Sequence, residues 1–308
     1  MDVTEVEPAE WGAANGPATV VEAVRRACVA ADGHDPLDEA AALHLKHRGL
    51  AGARLWLVGD AGFALRHGAA GAPAVDLAVT PRARGRGLGR ALAAAALAGE
   101  GPLSAWSHGD HPAAARLAAA YRMERARELW VMRRDAATPL AEVAADPALE
   151  VRAFRAGDAA DTAELLRVNA AAFATHPEQG AMDAANLAER MAEEWFDPAG
   201  LLVAMERRAG SDRADGGGAG GRERMLGFHW TKQHSPELGE VYVVGIDPAA
   251  QGRGLGRVLT AAGLAHLARA GVREVLLYVE ADNAPAVRLY SGLGFTHAPA
   301  DTHAQYRR

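Results

Sequence analysis

Apolar positions along the 308-residue chain fall into short runs separated by polar turns, and their period switches repeatedly between two and about 3.6 residues. In the second half this pattern predicts helices at 159–174 and 182–194 and strands at 201–205, 225–231 and 240–246. A helix at 256–270, a strand at 274–280 and a helix at 284–291 follow. Helices and strands in that order describe an α/β domain whose ligand sits at strand ends. Residues 207–224 contain Gly216-Gly217-Gly218-Ala219-Gly220-Gly221 and cannot bury apolar area, so they read as the hairpin loop between two of these strands.

The same order occurs twice. Val79-Thr80-Pro81-Arg82-Ala83-Arg84-Gly85-Arg86-Gly87-Leu88-Gly89-Arg90 recurs as Ile246-Asp247-Pro248-Ala249-Ala250-Gln251-Gly252-Arg253-Gly254-Leu255-Gly256-Arg257. Downstream, His111-Pro112-Ala113-Ala114-Ala115-Arg116-Leu117 is echoed by Asn283-Ala284-Pro285-Ala286-Val287-Arg288-Leu289. Two matched motifs in one order indicate a tandem duplication. Thr138-Pro139 and Asp146-Pro147 interrupt the pattern between the copies, which predicts domains at 1–140 and 148–308.

Composition narrows the class. Hydrophobic residues make up 49 % and charged residues 23 %, the balance of a globular chain. A net charge of -6 argues against nucleic acid as a partner. No apolar run nears the roughly 18 residues of a membrane span, and the first residues carry acids where an export signal needs bases. The single cysteine, Cys28, asks for no oxidising compartment. These features predict a cytoplasmic protein with no membrane or nucleic-acid partner; a monomer is expected, though no sequence feature sets the oligomeric state. Among the 33 basic residues only Lys46 and Lys232 are lysines, which singles out Lys232. His44 with His47, and His108 with His111, lack a third ligand in a sensible pattern, so no metal is expected.

Each glycine-rich segment follows a strand and opens a helix, so backbone N–H groups and the helix dipole converge on one point. That geometry suits a diphosphate, with Arg253 and Arg257 adding charge. A Rossmann reading fails on position, because the loop comes late in each domain, and a Walker A loop fails because no Gly-Lys-Ser/Thr follows.

Gln251-Gly252-Arg253-Gly254-Leu255-Gly256 resembles the acetyl-CoA pyrophosphate loop of the GCN5-related N-acetyltransferases. Gly85-Arg86-Gly87-Leu88-Gly89 matches it again, with Arg84 in the glutamine position. Asn283 to Tyr290, continuing to Leu293-Gly294-Phe295, resembles that family's closing helix and strand. The resemblance implies two tandem domains, each a mixed, mostly antiparallel twisted sheet flanked by helices, with a splayed strand pair for CoA. Acetyl-CoA would then be held by Val244, Gly245, Ile246, Gln251 to Arg257 and Asn283 to Arg288 in the second half. In the first half it would be held by Leu77, Ala78, Val79, Gly85, Arg86, Gly87, Leu88, Gly89 and Arg90, unless that half only stabilises the fold.

Three further segments narrow the resemblance to tandem members that acetylate desacetylmycothiol, a cysteinyl-glucosaminyl-inositol. They are Ala172-Phe173 with His176-Pro177-Glu178-Gln179-Gly180, then Gly227 to Lys232, then Gly239 to Gly245. It implies Glu178, Lys232, Glu240 and Tyr278 as substrate ligands, joined by Glu39 of the first half or its neighbour Asp38.

Acetyl transfer needs a neutral amine, a donor for the oxyanion and a proton for the leaving thiolate. Glu240 is the expected base and Tyr290 the expected acid. Aligning the repeats without gaps puts Pro73 opposite Glu240 and Ala118 opposite Tyr290, so the first half is expected to be non-catalytic. Two rival readings stay open at this point: an acetyltransferase for another small amine, such as an aminoglycoside or a protein N-terminus, and a CoA-binding module without turnover.

Overall fold

A computed structural model describes residues 2–68, 73–99, 101–141, 143, 147–174, 179–206 and 224–308. The chain divides into two compact units. One comprises Met1–Trp130, Glu280–Asp282 and Ala298–Arg308, and the other Val131–Val279 and Asn283–His297.

In the first unit, β1 (Thr4–Val6), β2 (Arg54–Leu57), β3 (Gly62–His67) and β4 (Ala74–Val79) pair antiparallel in that order. Helices α1 (Pro17–Asp32) and α2 (Glu39–Arg48) precede β2. Helix α3 (Leu88–Ala96) follows β4 and leads to β5 (Ser104–Ser107), and α4 (Pro112–Ala120) then leads to β6 (Glu124–Asp135). β4 and β5 run parallel but pair only at Ala74↔Ser104 and Val75↔Ala105. Val21, Val24, Leu45, Leu55, Phe63 and Leu65 form the core under α1 and α2. Trp56, Leu92 and Met123 belong to a second core under α3 and α4.

In the second unit, β7 (Leu149–Ala153), β8 (Leu201–Glu206), β9 (Met225–Gln233) and β10 (Leu238–Ile246) pair antiparallel, and β11 (Glu274–Glu280) joins β10 in parallel. Helices α5 (Ala159–Ala172) and α6 (Ala184–Met191) precede β8, α7 (Leu255–Arg269) links β10 to β11, and α8 (Ala284–Ser291) precedes β12 (Thr296–Arg307). Phe154, Leu165, Val168, Leu187, Phe228 and Trp230 pack together between α5, α6 and the sheet. Each unit is thus a mixed sheet flanked by helices, as the family resemblance implies.

Two differences from the sequence reading have physical causes. The helix expected at 182–194 is confined to Ala184–Met191, because the Asp183 side chain accepts from the Asn186 N–H at 2.8 Å and fixes its start. Strands β7 and β12 carry no clean alternation and escape the pattern. The expected domain spans also differ from the two units. Residues 298–308 group with the first unit, since Ala304–Arg307 pair antiparallel with Ser104–Ser107 of β5. Ala304 and Tyr306 there are buried in the first unit's core. The hairpin loop expected at 207–224 lies, but for Arg224, outside the described residues.

Two contacts fix the second unit's framework. His229 on β9 is fully buried, and its Nδ1 donates to the Leu259 carbonyl of α7 at 2.8 Å. Burial holds this imidazole neutral, pushing its pKa down to about 4. Gly263 makes room for the ring: a Cβ there would stand 2.1 Å from His229 Cε1. Asp161, in the first turn of α5, accepts from Arg152 at 2.7 and 2.8 Å and from the Arg155 guanidinium at 2.8 Å. Burial alone would raise its pKa, but the hydrogen bonds from Arg152 and Arg155 outweigh it and hold the carboxyl well below the usual range.

Gly263→Ala should drive α7 off β9 and destabilise the protein by about 1–3 kcal/mol, the usual cost of overpacking, measured as the midpoint of urea unfolding. Asp161→Asn should cost about 3 kcal/mol near neutral pH by leaving Arg152 without its counter-charge. Because the folded carboxyl titrates below its unfolded value, the wild-type advantage is full at neutral pH and shrinks as pH falls below about 4. The gap in melting temperature between the pair should then be narrower at pH 3 than at pH 7.

Candidate active site

The site in the second unit begins where β10 and β11 part. Their parallel register runs from Leu238↔Glu274 to Val241↔Leu277 and goes no further. Beyond it Val243–Ile246 keep β9 as partner on one side, leaving the facing N–H and C=O groups to a ligand. A register shift between Val241 and Val243 places Tyr242 in a bulge at the point of parting.

After β10 the chain makes a tight turn at Pro248–Ala250 and enters the glycine loop. Gly252 and Gly254 adopt φ of +79° and +75°, the left-handed region that side chains avoid, and a Cβ at either would meet nothing within 4 Å. Glycine is therefore demanded there by backbone conformation, while the space above stays open. Gly254 caps α7 without a side-chain hydrogen bond; the Arg257 N–H donates to the Gly254 carbonyl at 3.0 Å, and the N–H groups of Leu255 and Gly256 before it are the ones a helix start presents to anionic oxygens. A Cβ on Gly256 would lie 3.3 Å from Leu289, which brings α8 against the same turn. The loop is anchored by Asp247, buried at its start, which accepts from Arg167 at 2.8 Å, Arg224 at 3.2 Å and the Ala249 N–H at 2.9 Å. Asn283 is already engaged as the cap of α8, accepting from the Ala286 N–H at 3.2 Å.

Two of the expected acceptor residues, Glu240 and Lys232, lie opposite each other on adjacent strands. Glu240 is buried and lies opposite Lys232 on β9 and Leu276 on β11. Tyr278, two residues beyond Leu276, is exposed. The Lys232 ammonium sits over Trp195 at 4.6 Å and over Tyr242 at 5.2 Å from the ring centroids. The Arg190 guanidinium stands 5.6 Å from the Tyr242 centroid and donates to its hydroxyl. Lys232 is thus held in an aromatic frame, with a second cation beside it. Tyr290 on α8 packs edge-on against Phe295 at 6.0 Å. Burial pushes its phenol up to about 12, which keeps the proton on the oxygen at neutral pH.

One neighbour of Glu240 was not foreseen. His234, just past β9, has Nε2 2.6 Å from Glu240 Oε2. Its signal was the spacing: six residues apart across a short hairpin turn are diagonal neighbours on adjacent strands. Of the remaining expected ligands, Glu39 is in the first turn of α2 in the first unit, and Asp38 caps that helix by accepting from the Ala41 N–H at 2.7 Å. Glu178 lies outside the described residues.

The first unit repeats the cradle with different contents. Gly85 and Gly87 take φ of +75° and +84°, and α3 starts without a side-chain cap. A cavity of about 660 Å³ lies between β4, the loop and α4, lined by Leu77, Val79, Gly85, Gly87, Leu117 and Ala118 among others. Arg84 does not point its charge at this space alone: it donates to Asp32 at 2.8 Å and to the Val79 carbonyl at 3.0 Å. The ionisable groups lining the cavity include Asp32, His34, His108 and Tyr306. His108 Nδ1 is 3.0 Å from His303 Nδ1, and burial keeps both imidazoles below their ordinary pKa. Among the described residues no group of three His, Cys, Asp or Glu is placed to hold a metal ion.

Residues 185–295 match the acetyltransferase (GNAT) family. Over 301 residues the chain is 60 % identical to a mycothiol acetyltransferase of Nocardioides sp., covering 94 % of this chain and 96 % of the relative. A mycothiol acetyltransferase of Nocardia farcinica is 49 % identical over 294 residues, 92 % of each chain. The chain belongs to the mycothiol acetyltransferase family of GNAT enzymes. Among solved structures, a GCN5-related N-acetyltransferase from Sphaerobacter thermophilus superposes with a TM-score of 0.69 at 22 % identity, covering 100 % of this chain and 95 % of that one. A tandem GNAT protein from the clavulanic acid pathway gives 0.63 at 18 % identity, covering 100 % and 98 %. These two establish the fold.

As an acyltransferase of this family the chain uses acetyl-CoA, and the cradle in the second unit fits it: parted strand, left-handed glycines, uncapped helix. Gly254→Val should force the turn out of the left-handed region. CoA affinity of the second unit should fall at least tenfold, about 1.4 kcal/mol, as read by calorimetric titration.

Proposed function

We propose that the chain transfers the acetyl group of acetyl-CoA to the cysteinyl amine of desacetylmycothiol, giving mycothiol and CoA, with chemistry confined to the second unit. The observation that carries this reading is Glu240, a buried carboxylate beside the parted strands and opposite Lys232 in an aromatic frame. Sequence identity of 60 % to a protein named for that reaction supports the substrate.

Glu240 takes a proton from the amine, which as an α-amino group titrates at about 7.7–8.0 and gives it up readily. The amine nitrogen then bonds to the thioester carbonyl carbon while the backbone N–H groups of Val243–Ile246 face the developing oxyanion. As the carbon–sulfur bond breaks, Tyr290, which its high pKa keeps protonated at neutral pH, supplies a proton to the thiolate and is restored by the second proton leaving the nitrogen as the neutral amide forms. Lys232, Tyr278 and Glu178 would hold the sugar and inositol hydroxyls. Lys232 and Arg190 put two positive charges on the acceptor side, which disfavours a cationic aminoglycoside and suits a neutral, hydroxyl-rich acceptor. The first unit would bind CoA without turning it over, and a monomer acting on small cytoplasmic solutes accounts for all of these roles.

Release of free CoA thiol with desacetylmycothiol, and not with an aminoglycoside or a peptide amine, is the expected result. Release with either control alone would retire the acceptor. Glu240→Gln should lower kcat roughly 10²- to 10⁴-fold. Tyr290→Phe should lower kcat with acetyl-CoA affinity unchanged, because its hydroxyl acts only as the thiolate leaves. With Tyr290 titrating at about 12, wild-type turnover should not decline through loss of this proton below about pH 10.

A further inference from the structure

We propose that His234 passes to water the proton that Glu240 removes from the amine, so that the pair works as a two-step relay. The proposal rests on the reading of Glu240 as the base. A carboxylate that is only 5 % exposed must return one proton per turnover, and its own access to water is poor. Its strand partners offer no acceptor: Lys232 on β9 is a cation and Leu276 on β11 is apolar. The ionisable residues flanking Leu276 on β11 are Glu274 and Tyr278. At the hairpin turn, Glu237 is engaged by Arg273. His234 alone among these joins the two environments, with Nε2 2.6 Å from Glu240 Oε2 and a side chain 33 % exposed.

The hairpin holds the ring there. The His234 N–H donates to the Leu238 carbonyl at 2.9 Å, and Ser235 Oγ accepts from the Leu238 N–H at 3.1 Å, closing the turn between β9 and β10. The Glu240–His234 contact is therefore fixed by backbone geometry. In the tautomer with hydrogen on Nδ1, Nε2 accepts the proton from the Glu240 carboxyl. The imidazolium then loses its Nδ1 hydrogen to water, and exchange with solvent restores the starting tautomer. Glu240 is left ionised for the next amine. No atom is gained or lost beyond the proton delivered to solvent. His234 touches Glu240 and not the reacting atoms, so it is a positioning residue that also carries the proton away.

The test uses the full chain with acetyl-CoA and desacetylmycothiol. His234→Ala should lower kcat roughly 10- to 100-fold, a fraction of what a general base contributes, with acetyl-CoA affinity unchanged. Added imidazole should restore turnover, with a rescue that rises with the pKa of the substituted imidazole used, because the carrier's basicity sets the rate. His234→Gln should stay slow, since its amide can hydrogen-bond Glu240 but cannot carry a proton. On a Glu240→Gln background His234→Ala should cost nothing more. Full activity of His234→Gln, or an alanine variant that imidazole does not rescue, would overturn the relay while Glu240→Gln remains inactive and the base assignment stands. Should Glu240→Gln itself turn over normally, the base assignment falls and takes the relay with it.

Discussion

Strand β10 keeps its parallel partner β11 from Leu238 to Val241 and then leaves it, and the rest of the proposed catalytic arrangement depends on that separation. Buried backbone groups that lose a strand partner must find another, so the parted edge is held for a ligand that can supply an extended amide chain. The bulge at Tyr242 makes the departure possible and turns that ring toward Trp195 and Lys232. Upstream of the parting lies Glu240, and downstream lies the glycine turn. The proposed base and the proposed phosphate cradle thus lie toward the two ends of one strand, spaced by its length.

Much of this was legible in the sequence because it depends on local chemistry. Left-handed turns need glycine, so Gly252 and Gly254, with Gly85 and Gly87, mark the two tight turns in the sequence itself. Strand β11 and helix α8 have the expected bounds, since each is a clean periodic run between turn residues. What sequence could not supply were relations across the sheet. The aromatic frame around Lys232 draws Trp195, Tyr242 and Arg190 from three separate segments, and nothing in the neighbourhood of residue 232 announces it. His234 belongs to no sequence motif, and only the strand register sets it beside Glu240. Strand β12 reads Thr296-His297-Ala298-Pro299-Ala300-Asp301, with little apolar alternation, and is made a strand by its partners.

The two units solve one anchoring problem in two ways. In the second, the loop's first residue is Asp247, held between Arg167 and Arg224. In the first, Thr80 occupies that place and the tie is made by Arg84, which reaches back to Asp32 and to the Val79 carbonyl. The polarity of the clasp is reversed: a carboxylate held by arginines in one, an arginine held by a carboxylate in the other. Both keep the glycine turn in shape. Each loop carries two further arginines, Arg86 and Arg90 in the first and Arg253 and Arg257 in the second, and Arg253 meets Glu206 at 3.5 Å.

The pairing of Ala304–Arg307 with Ser104–Ser107 sets the order in which the molecule can be built. A ribosome delivers β5 some two hundred residues before the strand that covers it, so the first unit waits with one edge bare through most of translation. Its sheet is completed only when the second unit has already been made. Duplicated halves would ordinarily mature one after the other; here the older half finishes last.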